Sequence, residues 1–433
     1  MKLNLMMSIA LFAIINTGLC QTTKLTDKAQ QQAAQVLPKV INWRHDIHQH
    51  PELSNREFET SAKIAQHLRD LGMEVQTGVA NTGVVGILKG AKPGPVIALR
   101  ADMDALPVTE RVNLEWASKV NTIYNNQPTG VMHACGHDTH VAILMGTAEV
   151  LSRMQKDLKG TIKFIFQPAE EGAPTGEEGG AKLMIKEGVM KNPDVDVIFG
   201  LHISSTTPVG TITYKPGGIL AAADGFVITV HGKQSHGSEP WKSIDPIVTA
   251  AQIINGIQTI ISRQAELTKE GAVISVGMIH SGIRNNIIPE SAELVGTIRT
   301  LDVAMQDKIH SDLIRTATKI GESMGATVDV EIEREVPVTF NDPILTTKAA
   351  NWLNIAVGAE HVKLQKAWTG AEDFSFFANE VPGFFFLIGG CPEGSDPATA
   401  FPHHTPDFYV DDTGMLTGLN GMLALTLGYM FDH

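Results

Sequence analysis

Nine consecutive residues in the first third of the chain combine a thiol with several imidazoles. The segment 132–140 contains His133, Cys135, His137 and His140. Thiolate and imidazole are ligands that borderline-soft divalent metals prefer. Gly136 permits a tight turn in which Cys135 and His137 converge on one point. A histidine-rich loop in solvent beside a buried cysteine is the alternative, and the density of the cluster favours a metal site.

Two adjacent carboxylates, Glu170 and Glu171, come shortly after the predicted strand 161–166. Adjacent side chains at the end of a strand point in different directions. We therefore expect one carboxylate to bind metal and the other to remain available as a general base. A glutamate pair taken alone is usually a solvated loop end, but its position downstream of the Cys/His cluster indicates a functional site.

Further candidate residues are spread along the chain. His202 follows an apolar run, and strand ends are where open α/β sheets hold their ligands. For His403 and His404, spacing alone leaves open whether either residue is a ligand. Asp102 and Asp104 also follow a predicted strand, where they either orient metal-bound histidines or cap a turn.

Sulfur, nitrogen and oxygen donors with one spare carboxylate suit hydrolysis at two metal ions. Metals polarise a carbonyl oxygen and lower the pKa of a bound water. The spare carboxylate can take the proton of that water and deliver it to a leaving amine. The residues therefore predict a metal-dependent hydrolase.

The composition excludes some partners. The formal net charge is -13 over 433 residues, and nucleic acids and anionic membranes both require basic patches. The length predicts two domains. The chain has 3 cysteines, too few for a disulfide framework, so Cys135 requires another explanation.

Residues 1–20 are predicted to be a signal peptide. Lys2 precedes a mostly apolar, uncharged run, and small residues near Cys20 offer a cleavage point. The run is short for a membrane span, which needs about 20 apolar residues, so we expect no stable membrane insertion. Export to the periplasm or the medium is the expectation. Cys20 also suggests a lipoprotein, but Leu19 is larger than such sites usually accept.

The predicted elements change character near residue 217. Apolar runs alternate with helical patterns up to that point, which predicts an α/β domain with a mostly parallel sheet. Residues 218–334 instead predict the order βαββαβ, which is ferredoxin-like. After residue 334 the alternation of apolar runs and helical patterns resumes. We expect a catalytic domain formed by 21–217 and 335–433, with the domain 218–334 inserted into it.

The motifs together resemble the metal-dependent aminoacylase and carboxypeptidase family. The nearest branch contains hippurate hydrolase, bacterial N-acyl-amino-acid amidohydrolases and plant indole-acetyl-amino-acid hydrolases. The resemblance runs from about Trp43 to the C-terminus. It is carried by segments 44–52, 100–107, 133–140, 166–172, 200–202, 286–289, 296–299, 370–374 and 404–406.

The resemblance implies a role for each candidate in the catalytic domain. Cys135 would bridge two divalent metals, zinc or manganese in the first place, with cobalt and nickel also tolerated. Glu170 would be the general base. The remaining ligands would be His137, Glu171, His202 and His404.

The resemblance also implies a homodimer that forms through the inserted domain, which acts as a lid. His236 would reach across the dimer to the scissile carbonyl. Asn286 and Arg299 would hold the carbonyl or the carboxylate of the substrate. The chain departs from the branch at Pro240-Trp241, where Pro-His is common, and Trp241 can present an aromatic wall to the substrate.

Three functions remain open at this point. The first is hydrolysis of N-acyl or N-aroyl amino acids, and the second is a carboxypeptidase or dipeptidase activity on short peptides at the same metals. We favour the first because no acidic residue of the lid identifies a site for a free ammonium group. A non-catalytic binding protein is the third, and the presence of Glu170 with all five ligands argues against it.

Overall fold

The structure, a computed structural model, describes the backbone of residues 2–433 and the side chains from residue 24 onward. It divides into two compact units: Met1–Gly217, Phe340–Gln365 and Phe376–His433 form the first, and Gly218–Thr339 with Lys366–Ser375 the second. The second unit begins where the inserted domain was expected and includes residues beyond 334. The predicted signal peptide lies outside the described side chains and stays a prediction. Within the described part, no helix has the length and apolar character that crossing a bilayer requires.

The helices are, in chain order, α1 (Lys2–Gln49), α2 (Phe58–Asp70), α3 (His137–Arg153), α4 (Gly180–Lys186), α5 (Pro246–Thr259), α6 (Val303–Ser323), α7 (Pro343–Val357), α8 (Phe374–Glu380) and α9 (Gly414–Asp432). The strands are β1 (Glu74–Val79), β2 (Gly83–Lys89), β3 (Lys92–Asp102), β4 (Asn121–Tyr124), β5 (Gln127–Gly130), β6 (Lys159–Gln167), β7 (Val197–Pro208), β8 (Ile212–Tyr214), β9 (Gly217–Leu220), β10 (Ala222–His231), β11 (Ser235–His236), β12 (Ala272–Ser281), β13 (Ile287–Ile288), β14 (Ser291–Thr300), β15 (Thr327–Val336), β16 (Thr339–Asn341), β17 (Val362–Leu364) and β18 (Gly383–Cys391).

The first unit is built on an eight-stranded sheet with the order β1-β2-β6-β3-β7-β18-β8-β17. The four central strands, β6, β3, β7 and β18, run parallel to one another, and the antiparallel pairs lie towards the edges. Every residue of β18 is buried, as expected for a central strand with both faces covered. The predicted α/β class with a mostly parallel sheet is confirmed.

The connections reverse direction at β3. The chain passes from β3 through α3 to β6 on one side, and then from β6 through α4 to β7 on the other. Pairing of β3 with β7 ends at Arg100–Gly200, whereas pairing with β6 continues to Asp102–Gln167. Open α/β sheets bind ligands in the crevice at such a switch point, outside the carboxyl ends of the strands.

Helix α1 fixes the position of α3. Its buried residues recur every three or four positions, which places them on one face of the helix: Ala29, Ala33, Val36, Val40, Arg44 and Ile47. That face packs on α3 and α9. Because α3 begins at His137, this packing also holds one end of the Cys/His segment.

The second unit has the predicted order βαββαβ, formed by β10, α5, β12, β14, α6 and β15. Its antiparallel sheet has the order β12-β14-β10-β15, so β12 and β15 are the edges. Asp245 and Asp302 cap α5 and α6 by accepting backbone N–H groups. Pro246 is the first residue of α5, a position that proline favours.

Candidate metal centre

Several elements of the first unit deliver the candidate residues to the carboxyl side of the central strands. Cys135 and His137 lie at the start of α3, and Glu170 and Glu171 follow β6. His202 lies inside β7, which continues to Pro208, so the expectation that this strand ends before His202 is wrong. Pairing with β18 explains the extension, since Leu387 is the partner of His202.

Gly136 forms the turn between the thiol and the first imidazole. Its φ of 91° lies in the left-handed region, where other residues are strained. A Cβ atom there would come within 2.4 Å of Cγ2 of Ile203. Glycine is therefore required on both counts, and the turn carries Cys135 and His137 into the same crevice.

The sulfur of Cys135 is the point at which distant parts of the chain meet. Nε2 of His404 lies 3.3 Å from Sγ, and Nε2 of His202 lies 3.4 Å from it. Glu171 Oε1 is 3.1 Å from His404 Nε2. Cys135, Glu171 and His404 can therefore share one ion, and Cys135 also forms a second possible group with His202 and His403.

His137 completes the group on its other side. Its Nε2 lies 3.9 Å from a carboxylate oxygen of Glu170 and 3.9 Å from one of Glu171. The ring is fully buried, and Nε2 makes no hydrogen bond among the described residues. A buried ring nitrogen without a hydrogen-bond partner, facing two carboxylates, fits a ligand of a metal ion.

The tautomer of His202 suits metal binding. Its Nδ1 donates to the carbonyl oxygen of Ile203 at 2.6 Å, which leaves the lone pair of Nε2 facing Cys135. His140 differs, because both of its nitrogens are used. Nε2 accepts from the N–H of Ile203 at 2.8 Å and Nδ1 donates to Asp102 at 2.5 Å. His140 therefore links the end of β3 to the middle of β7, and both of its nitrogens are occupied.

Asp104 both orients a candidate metal-binding histidine and caps a turn, the two roles that the sequence left open. Its Oδ1 lies 3.3 Å from Nδ1 of His137, which orients that ring. Its two oxygens also accept the backbone N–H groups of Glu170 and Glu171, each at 3.0 Å. One carboxylate thus fixes the direction of a ring and the backbone of the glutamate pair.

The electrostatics of the centre favour cations. Burial raises the pKa of the Cys135 thiol well above its usual value, and the charges of Glu171 and Glu170 add to the shift. Burial alone would lower the pKa of His137, but the nearby Asp102 and Asp104 outweigh it and raise that pKa to about 10. Burial lowers the pKa of His202. An excess of carboxylates around a thiol and several imidazoles favours the binding of divalent ions.

His403 belongs to the same neighbourhood, although spacing could not distinguish it from His404. Its Nδ1 donates to the carbonyl oxygen of Cys135 at 3.2 Å, and its Nε2 accepts from the N–H of Ser205 at 3.4 Å. His404 has a φ of 62°, uncommon for a non-glycine residue. His403 therefore bonds to the backbone with both ring nitrogens, and its Nδ1 also lies 3.7 Å from the sulfur of Cys135, whereas Nε2 of His404 lies closer, at 3.3 Å.

The remaining predicted residues belong to the second unit. His236 is exposed in β11, which pairs with β13, and the N–H of Gly237 donates to the carbonyl oxygen of Asn286 at 2.8 Å. Asn286 is exposed as well. Arg299 lies near the end of β14, opposite Ala223 and Val273. His236 and Asn286 thus lie on two adjacent loops that are joined by β11 and β13, and Arg299 lies in the four-stranded sheet.

Comparison with known proteins identifies the family of this chain. Residues 98–427 match the model of peptidase family M20/M25/M40. Thermostable carboxypeptidase 1 of Saccharolobus solfataricus is 42% identical over 396 residues, which cover 91% of this chain and 96% of the relative. The N-acetylcysteine deacetylase of Bacillus subtilis is 39% identical over 363 residues, or 83% of this chain and 91% of the relative.

A solved structure shows the same arrangement of the chain. A dinuclear metal binding peptidase of the M20 family from Bacillus subtilis superposes with a TM-score of 0.78 at 35% sequence identity, and the match covers 92% of this chain and 99% of that one. Together with the donor set around Cys135, this supports two divalent metals in the centre. The chain belongs to peptidase family M20/M25/M40 and is a metal-dependent amidohydrolase.

Proposed function

We propose that this enzyme hydrolyses the amide bond of N-acyl or N-aroyl amino acids and releases a carboxylic acid and a free amino acid. The observation that carries the proposal is the convergence on Cys135 of His202, His404 and Glu171, with the carboxylate of Glu170 beside His137. A thiol, imidazoles and a carboxylate that meet in one crevice are a site for hydrolysis assisted by metals.

Five residues of the first unit hold the two ions in this proposal. Cys135 would be the ligand shared by the ions, and His137, Glu171, His202 and His404 would be the remaining ligands. Mixed sulfur, nitrogen and oxygen donors suit zinc or manganese and also accept cobalt or nickel. The ions, when bound, polarise the scissile carbonyl and lower the pKa of the attacking water.

Glu170 carries the proton. It neighbours Glu171 in the turn after β6, and its carboxylate is only partly buried. It accepts the proton of water as the C–O bond forms, and it delivers that proton to the amine nitrogen as the C–N bond breaks. The products are then a carboxylic acid and an uncharged amine, which is protonated by solvent.

His236 stabilises the oxygen of the scissile carbonyl and is supplied by the partner subunit. Its Nδ1 accepts the backbone N–H of Ser238 at 3.1 Å, so the neutral ring carries its proton on Nε2. That exposed N–H can donate to a carbonyl oxygen on which charge develops. Asn286, joined to the same loop, contacts the substrate beside it, and Arg299 binds the substrate carboxylate.

The two edges of the second unit's sheet support a homodimer through β12. Strand β12 and its surroundings expose apolar side chains: Met278, Ile279, Ile283, Ile247 and Val248. Strand β15 exposes charges instead, among them Glu331, Glu333 and Arg334. Charges protect an edge strand from pairing, whereas an exposed apolar edge invites it. We therefore assign β12 to the dimer interface.

The side chain of Trp241 favours an apolar acyl group. It is 75% exposed in the turn Pro240–Lys242, which follows the loop of His236. An indole that faces solvent provides a flat apolar surface for an aromatic or aliphatic acyl chain. The deacetylase relative acts on an N-acyl amino acid by its name. The carboxypeptidase relative supports the second candidate, removal of C-terminal residues from short peptides.

A hydrolysis screen tests the proposal. Protein stripped by a chelator and then given zinc, manganese, cobalt or nickel is mixed with N-acetyl, N-benzoyl and indole-acetyl amino acids and with dipeptides. We expect kcat/KM for the best acyl amino acid to exceed that for the dipeptide with the same C-terminal residue by at least ~10-fold. The opposite preference would assign the peptidase function, and no hydrolysis with any metal would contradict both.

A further inference from the structure

The turn that carries Glu170 is held by three consecutive backbone N–H groups. The N–H of Ala169 donates to Oε1 of Glu57 at 2.9 Å. The N–H groups of Glu170 and Glu171 donate to the two oxygens of Asp104, each at 3.0 Å. All three acceptor oxygens belong to carboxyl groups that are at most 1% exposed, and the charge of Asp104 strengthens the two bonds that it accepts.

Ala169 has an unusual conformation for its residue type. Its φ is 53°, in the left-handed region, and its side chain is buried. That conformation costs an L-residue on the order of 1–2 kcal/mol. Because the direction of the next side chain depends on it, a relaxed Ala169 would turn the carboxylate of Glu170 away from its present position. A specific contact must offset the strain, and Glu57 makes the bond to this residue.

Glu57 comes from a distant part of the chain. It lies between α1 and α2, and its second oxygen accepts the hydroxyl of Thr82 at 2.5 Å. Burial, with the neighbouring charge of Asp104, raises the pKa of Glu57 to about 7. Burying a carboxylate beside a second carboxylate costs free energy of folding, which an apolar side chain of similar size would not cost. Its hydrogen bond to the strained turn gives it a role that an apolar side chain lacks.

We propose that Glu57 is a positioning residue that holds Ala169 in its left-handed conformation and thereby aims the carboxylate of Glu170 at the reacting water. The proposal rests on the general-base role of Glu170. It assigns Glu57 no contact with substrate or metal, and it predicts an effect on the chemical step without an effect on binding.

Three variants separate the hydrogen bond from the charge. Glu57→Ala removes the acceptor, and we expect kcat to fall at least ~10-fold with KM within about twofold, since misplacement of a catalytic group slows chemistry. Glu57→Gln keeps a carbonyl oxygen for the N–H of Ala169, so kcat should stay within about threefold of wild type. Adding Ala169→Gly to Glu57→Ala should restore part of kcat, because glycine reaches positive φ freely.

Three further variants show which idea fails. Thr82→Val removes the bond to the other oxygen of Glu57 and should lower stability with kcat within about twofold; a loss of kcat equal to that of Glu57→Ala would indicate general destabilisation and overturn the proposal. Wild-type kcat in Glu57→Ala, with Glu170→Gln inactive, would also overturn it while the proposed function stands. A fully active Glu170→Gln would instead contradict the proposed function itself.

If Glu57→Ala does not fold, Glu57→Asp takes its place. This change withdraws the acceptor by one methylene, and an unchanged kcat in Glu57→Asp would refute the positioning role.

Discussion

Nε2 of His404 lies 3.3 Å from the sulfur of Cys135, although 269 positions of sequence separate the two residues. A second bond holds the same two segments together, because the N–H of His404 donates to the carbonyl oxygen of Ala134 at 2.9 Å. The centre is therefore assembled by tertiary structure, from the start of α3 and the segment after β18. Local sequence provides the ligand types, and the fold brings them into one group.

The first prediction concerns Glu170. Glu170→Gln removes the proton carrier with little change in size, so kcat should fall at least ~10²-fold while the metal content stays near that of wild type. Steady-state kinetics and elemental analysis measure the two quantities. Glu178→Gln is the matched control, since Glu178 is exposed in the same loop region. Near-normal turnover in Glu170→Gln would show that this carboxylate is only structural.

The second prediction concerns the thiol. A metal ion stabilises the thiolate of Cys135 and blocks it from alkylation. Iodoacetamide should therefore label Cys135 faster after chelation than in the metal-loaded protein. Mass spectrometry of the peptide that contains Cys135 follows the reaction, and Cys391, also free and buried, is the internal control. Equal labelling of Cys135 in both states would identify an ordinary buried cysteine.

The strands of the first unit could be predicted because most of them are buried on both faces. β2, β6, β7 and β18 appear in the sequence as short apolar runs between turn residues, which is the pattern of central strands. The order βαββαβ of the second unit was equally accessible, because Asp245 with Pro246 and Asp302 mark the helix starts. The extension of β7 past His202 could not be predicted from the sequence, since it depends on pairing with β18, which is a long-range contact.

The site could be predicted as a set of residue types, and its geometry could not. The density of donors around Cys135 and the adjacent pair Glu170 and Glu171 identified the chemistry. Choosing between His403 and His404 requires knowing which ring keeps a nitrogen that is not bonded to the backbone, and the direction of the His404 ring depends on the positive φ of that residue. Glu57 has no local signal, because its partner Ala169 lies 112 positions away.

The third prediction concerns the edge strand β12. Ile279→Lys places a charge on the exposed apolar edge and should convert the dimer to monomer, because a charge disfavours pairing of the edge. Sedimentation or light scattering reports the mass. Glu331→Lys puts the same side chain on the opposite edge, β15, and should leave the dimer intact. A dimer that survives Ile279→Lys and dissociates in Glu331→Lys would place the interface on β15.

The fourth prediction tests whether His236 acts across the dimer. His236→Ala and Glu170→Gln should each be nearly inactive alone. When their subunits exchange, a mixed dimer has one site that lacks both groups and one intact site. Mixing should then recover about a quarter of wild-type activity, because half of the dimers are mixed and each has one working site. Action within one subunit leaves a defect in every site, and mixing would recover nothing.

The last prediction follows from the pKa of Glu57. Burial and the charge of Asp104 raise that pKa from 4.5 to about 7, so the folded protein binds a proton that the unfolded chain has lost between these values. The stability that the protonated group contributes is present below pH 4.5, and it is lost as the pH rises to about 7. Glu57→Gln stays neutral at every pH and avoids this loss. Its stability relative to wild type should therefore increase from pH 5 to pH 8, by at most about 3 kcal/mol. Urea unfolding of both proteins at the two pH values measures the difference.

Glu59→Gln, the same change at an exposed position of α2, is the control and should show a much smaller change. A Glu57→Gln protein that loses stability relative to wild type as the pH rises would mean that Glu57 is stabilised as an ion in the folded state.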